Sequence, residues 1–183
     1  PTRRSSDLLT HAHPDHIGGL AGPLQTPVFR NVQQLFVHEK ELAFWRDETI
    51  SAGAPDAFKP FFEVARNAFS AYDDKLVPFR EEAILPGIQT VPLFGHTPGH
   101  TGYLLGDEKE SLLIWGDIVH FPHIQVAQPD VTIAFDSDPA AAAAIRSKVL
   151  DRAASDNLAV SGMHFNLPTT GKVIREGNSF ALN

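Results

Sequence analysis

The sequence predicts one α/β domain with helices outside mixed strands, and three observations point to it. Short apolar runs of strand length alternate with amphipathic helical stretches, Gly, Pro and acidic residues punctuate the joints, and no internal repeat or linker divides the chain. The 183 residues are 43% hydrophobic and 20% charged, enough to bury a single core. Fifteen Lys and Arg against 22 Asp and Glu give a formal charge of −7, without a basic cluster that could track a phosphate backbone. Nucleic acid is therefore excluded as the expected partner. No apolar run approaches the ~20 residues that cross a bilayer, so no membrane is expected either. Absent cysteine removes disulfides, thiolate ligands and a thiol nucleophile. A small molecule is the expected partner, and a homodimer is compatible with the sequence.

Taken in order, Asp7-Leu8-Leu9-Thr10 reads as the end of a buried strand entering a His-rich loop. Leu35 to His38 reads as a strand, and Glu39 to Glu48 as a helix with Leu42 and Trp45 on one side. Asp56 to Tyr72 forms a second helix, because Phe58, Phe61, Phe62, Ala65 and Phe69 recur near a 3.6 period and build a broad aromatic face. Ile88 to Leu93 is the next strand. Gly102 to Leu105 and Ser111 to Trp115 form a hairpin across the charged turn Gly106 to Glu110. Asp136, Ser137 or Asp138 caps a helix with Pro139 at its first position and Ala140 to Ala154 as its body. Leu158 to Ser161 closes the series as a buried strand.

The strongest chemical signal is Thr10-His11-Ala12-His13-Pro14-Asp15-His16-Ile17-Gly18-Gly19. Three imidazoles and a carboxylate crowd into six positions directly after a strand. Residues two apart in an extended loop point the same way, so His11 and His13 can grip one ion, and a turn at Pro14 lets Asp15 and His16 face a second. Three later fragments each place donors where a strand meets a loop: Gly95-His96-Thr97-Pro98-Gly99-His100-Thr101, Gly116-Asp117 and Gly162-Met163-His164. Two divalent ions roughly 3.5 Å apart can share one water, lower its pKa and direct it at a carbonyl or phosphoryl centre. Asp15 and Asp117 offset about half the charge of such a pair, which leaves a Lewis-acidic site. Imidazole and carboxylate without thiolate suit Zn and also accept Mn, Fe or Co.

These motifs resemble the HxHxDH signature and the later ligand motifs of the metallo-β-lactamase superfamily, over nearly the whole chain. The resemblance implies an αββα sandwich of two related halves, with His11, His13 and His100 on one metal, Asp15, His16 and His164 on the other, and Asp117 bridging. It also implies that strands preceding the first motif in that family are missing here, so that residues 1–6 read as a non-native leader and residues 7–183 as a partial domain. Glyoxalase II, acyl-homoserine lactonases and methyl parathion hydrolases share the ligand set. Trp115 to His120, Val131 to Asp136 with Asp138-Pro139, and Val37-His38-Glu39 leading to Phe44-Trp45 look most like the methyl parathion hydrolase and related lactonase group.

The resulting expectation is a dinuclear metal-dependent hydrolase that uses a water bridging the metals on a small neutral ester: a lactone, aryl ester or phosphotriester. Alternatives are a thioester hydrolase like glyoxalase II, with Arg146, Lys148, Arg152, Lys172 and Arg175 as the available cations, and a folded module without turnover. His120 stands where the signal lactonases carry tyrosine, and either lines the pocket, donates a proton to the leaving group or packs behind a ligand. His96 is expected to hydrogen-bond backbone in its loop, and Asp136 and Asp138 to cap a helix or pair with Arg146. Trp45, Phe121 and Phe165 form an apolar substrate wall or serve as core packing.

Overall fold

A computed structural model of the chain describes residues 6–80, 84–107, 110–166 and 169–183. Two compact units compose it, residues 1–80 and 81–183, each with its own sheet and apolar core. The leader assigned to residues 1–6 falls outside the described residues except for Ser6, which belongs to the first strand and pairs with Gln34.

The N-terminal unit holds a three-stranded parallel sheet of β1 (Ser6–Leu8), β2 (Gln34–His38) and β3 (Leu76–Phe79), in that order. Leu35, Phe36 and Val37 of the central strand are all buried, the continuous apolar run of a parallel strand covered on both faces. Pro78 lies in the edge strand β3, where a missing N–H costs no ladder bond to a further neighbour. The short helix α1 (Pro14–Ile17) follows β1 through the His-rich loop.

The helix expected over Glu39–Glu48 stops sooner, as α2 (Glu39–Arg46). Asp47 turns extended, and its carboxylate accepts from Ile50 N–H to cap α3 (Glu48–Gly53). The helix expected from Asp56 begins later, as α4 (Lys59–Ala71), because residues 55–58 close a turn and Pro60 belongs in a first helical turn. Phe62, Ala65, Ala68 and Phe69 of α4 bury with Leu35, Val37, Trp45 and Tyr72 as one core.

The C-terminal unit is a six-stranded mixed sheet in sequence order: β4 (Ile88–Pro92), β5 (Thr101–Gly106), β6 (Ser111–Ile114), β7 (Ala159–Ser161), β8 (Thr170–Glu176) and β9 (Ser179–Leu182). All neighbours run antiparallel except β6 and β7. The expected hairpin is β5–β6; Glu108 and Lys109 of its turn lie outside the described residues. The crossover from β6 to β7 carries α5 (Pro122–Gln125) and α6 (Pro139–Ser155). Asp138 caps α6 by accepting from Ala141 N–H, and Ala142, Arg146, Val149, Leu150 and Ala153 form its buried stripe. Leu113, Trp115, Ile118, Val149, Leu150 and Val160 belong to the core beneath it.

Among the described residues, no helix is long and apolar enough to cross a membrane.

Candidate metal centre

In the N-terminal unit the loop from β1 to α1 brings four donors together. His11 and His13 are buried, their rings meet edge to face at 4.8 Å, and each offers a nitrogen within 4.8 Å of the other. Thr10 Oγ1 sits 3.2 Å from His11 Nδ1, and His16 lies over His11 with ring centroids 4.0 Å apart. Pro14 starts α1, which turns Asp15 and His16 out of the extended segment, with His16 Nε2 3.5 Å from Asp15 Oδ2.

Glu41, which the sequence did not single out, holds this loop from α2. One buried carboxylate oxygen accepts from Ala12 N–H at 2.8 Å and from Trp45 Nε1–H at 2.6 Å. The only advance sign was the i, i+4 spacing of Glu41 and Trp45 on one helix face. Of the two roles open to Trp45, substrate wall or core packing, the structure shows core: it is 3% exposed, packs on Phe44 and Phe62, and presents its ring edge-on to His13 at 5.5 Å.

In the C-terminal unit the donors gather around Asp117, in the loop after β6. Its Oδ2 lies 2.9 Å from His164 Nε2, 3.5 Å from His120 Nδ1 and 3.7 Å from His96 Nε2. His120 stacks on His164 with ring centroids 3.6 Å apart. The backbone N–H groups of His120 and Phe121 both donate to Gln125 Oε1, so the buried Gln125 fixes the turn that carries His120.

The two histidines of the β4–β5 loop have partners that differ from those expected of them. His100 Nδ1 faces Leu93 carbonyl oxygen at 3.1 Å and its Nε2 accepts from Asp117 N–H at 3.1 Å, so both ring nitrogens are engaged in holding backbone. That geometry opposes the expectation that His100 is a ligand. His96, expected to bond backbone, instead sets Nδ1 2.9 Å from Asp136 Oδ1 and turns Nε2 toward Asp117. A carboxylate behind one imidazole nitrogen with the other turned toward a charged cluster is the arrangement that metal-ligating histidines use.

Burial pushes the Asp136 carboxyl up, but hydrogen bonds from His96 and from Ile133 N–H, with the charges of His96 and Arg146, hold it below the ordinary carboxylate value. Burial lowers the Arg146 guanidinium and the Asp136 charge partly restores it. Arg146 is 1% exposed, which removes it from the cations available to an external carboxylate.

Phe121 and Phe135 are 47% and 43% exposed and stand 5.1 and 6.2 Å from the His120 ring, so Phe135 joins Phe121 as an apolar group beside Asp117. Phe165 packs edge-on against Trp115 and lines a separate cleft of about 470 Å³ with Val126, Phe180 and Leu182. The donors fit a divalent ion of the N/O class: imidazole nitrogens and carboxylate oxygens, without thiolate, several of them buried and already hydrogen-bonded.

The metallo-β-lactamase superfamily model matches residues 8–164. Among solved structures, a hydrolase of the β-lactamase superfamily, AbOPH, superposes with a TM-score of 0.89 at 28% identity, over 97% of this chain and 63% of that one. AidC, described as a dizinc quorum-quenching lactonase with a product bound, gives 0.88 at 26% identity, over 98% and 63%. A probable metal-dependent hydrolase from Staphylococcus aureus gives 0.78 at 20% identity, over 98% and 62%, a likeness of fold. The chain thus spans under two thirds of the length of these structures. No curated protein sequence matches it. With its α/β fold of mixed sheets, its ordered ligand motifs and a family match over most of its length, the chain belongs to the metallo-β-lactamase superfamily.

Proposed function

We propose that the protein is a dinuclear metal-dependent hydrolase of small neutral esters, with lactones, aryl esters and phosphotriesters as its substrate class. The observation that carries this reading is the donor inventory: His11, His13, Asp15 and His16 on one loop, and His96, Asp117 and His164 on strand-end loops of the other unit. The family resemblance would give one ion to His11, His13 and a histidine of the β4–β5 loop, the other to Asp15, His16 and His164, and Asp117 to both; the hydrogen bonds just described favour His96 over His100 as that histidine. When bound, two divalent ions supply Lewis acidity and a nucleophilic water at neutral pH. Zinc is the metal proposed, in keeping with the N/O donors and with the dizinc description of AidC.

The chain's own residues do the rest. Asp117 contributes negative charge at the centre of the cluster. His120 is the residue assigned to pass a proton to the leaving group, a reading supported by its 3.5 Å approach to Asp117 and its ring contact with His164. Phe121 and Phe135 offer exposed apolar surface to the substrate's uncharged part, where an anion would lose solvation without a paired cation.

The test is a hydrolysis screen of aryl lactones, alkyl lactones, aryl phosphotriesters and S-lactoylglutathione, with metal removed and then restored. Metal-dependent turnover highest on the neutral aryl substrates is expected. Preference for S-lactoylglutathione, or no turnover of any of them by the zinc-loaded protein, overturns the proposal.

A further inference from the structure

We propose that Asp136 is a positioning residue that fixes the tautomer and aim of His96, and that Arg146 holds Asp136 and the Asp117 loop in the register this requires. The inference rests on the reading of His96 as a metal donor. Asp136 does not cap α6, since Asp138 does. Both of its oxygens have fixed partners instead: Oδ1 lies 2.9 Å from His96 Nδ1, while Oδ2 accepts from Ile133 N–H at 3.1 Å and lies 3.7 Å from Arg146 Nη2. A carboxylate held at both ends cannot swing away, so it keeps the imidazole proton on Nδ1. The lone pair is then on Nε2, the nitrogen turned toward Asp117.

The surrounding backbone enforces the same register. Ser137 N–H donates to His96 carbonyl oxygen at 3.0 Å and Asp138 N–H to Gly95 carbonyl oxygen at 2.9 Å, which ties the two loops together. Gly95 has φ +138°, and a Cβ there would meet Ala142 N of α6 at 2.3 Å, so only glycine allows the approach. Arg146, buried on α6, donates to the carbonyl oxygens of Ile118, Pro129 and Val131, and Gln125 donates to Val131 as well. One guanidinium thus gathers three carbonyls of the segment that starts immediately after Asp117 while it stands beside Asp136. A lysine lacks the planar fork to reach them together.

The test is zinc affinity, measured by chelator competition on wild type, His96→Ala, Asp136→Asn and the double variant. Asp136→Asn is expected to weaken one of the two ions by about 10- to 100-fold, His96→Ala to weaken the same ion at least as much, and Asp136→Asn to add nothing once His96 is gone. Wild-type affinity in Asp136→Asn with weakened His96→Ala overturns this inference alone. An equal Asp136→Asn loss in the His96→Ala background also overturns it, because the carboxylate then acts on the fold and not through His96. Wild-type affinity in His96→Ala overturns the donor assignment itself. Should Asp136→Asn not fold, ¹⁵N-histidine NMR of the wild type decides: Nδ1 protonated and Nε2 shifting on zinc addition is expected, and Nε2 protonated or Nδ1 bound to zinc overturns the inference.

Discussion

Replacing Glu41 by alanine removes the anchor of the His-rich loop. One Glu41 oxygen accepts from Ala12 N–H at 2.8 Å and from Trp45 Nε1–H at 2.6 Å, and Glu41, Ala12 and Trp45 are all buried. Each buried donor left without an acceptor costs about 1–3 kcal/mol, so two give about 2–6 kcal/mol, centred near 4. For a chain of this size each kcal/mol moves the midpoint by about 2–4 °C, which predicts a loss of about 8–16 °C in the metal-free protein. Glu41→Gln keeps an acceptor oxygen and is expected to cost about 1 kcal/mol. Because Ala12 stands between His11 and His13, the alanine variant should also bind zinc more weakly than the glutamine variant. Near-UV circular dichroism through the thermal transition is the assay. A Glu41→Ala midpoint within about 2 °C of wild type would refute the reasoning, since the hydrogen bonds would then contribute nothing to the fold.

Three further outcomes follow from the C-terminal unit. Gly95→Ala is expected to destabilise by about 3 kcal/mol or more, the sum of a left-handed φ and a Cβ driven into α6 backbone, read from urea unfolding; a change under about 1 kcal/mol would contradict it. Arg146→Met strands three carbonyls and the Asp136 carboxylate, and should cost about 3–5 kcal/mol in the same assay. The Asp136 carboxyl is held below its unfolded value of about 3.9, so its contribution is present above that pH and is lost as the pH falls through its lower folded pKa. Stability of metal-free Asp136→Asn should accordingly fall less steeply below about pH 4 than that of wild type, and parallel curves would contradict this.

The sequence showed what is local. His11, His13, Asp15 and His16 lie within six positions, and the strand before them and the proline among them suffice to predict a loop of converging donors. The helix over Ala140 to Ala154 was legible from its cap, its proline and its alanines. What stayed hidden depends on partners distant in sequence. His96 and His100 have similar residues around them, and only the carboxylate of Asp136, the carbonyl of Leu93 and the amide of Asp117 tell them apart. Glu41 and Gln125 are not singled out in the sequence, and Arg146 reads there only as a partner for Asp136 or Asp138 or as a cation for a substrate; the backbone groups that buried Glu41 and Arg146 satisfy lie far away in sequence, and those that buried Gln125 satisfies belong to the turn that carries His120. Strands β3 and β8 carry too little alternation to read: β3 contains Pro78, and β8 buries Val173 alone. The sequence leaves Trp45 as either wall or core, and its burial with the indole N–H bonded to buried Glu41 settles it as core.

The most direct test of the dinuclear reading is elemental analysis of the folded protein after dialysis against zinc, beside Asp117→Asn treated alike. Two zinc ions per chain in wild type, with both bound more weakly when the carboxylate shared by them is neutralised, is the predicted result. At most one ion under saturating zinc, or Asp117→Asn holding two ions as tightly as wild type, would contradict it.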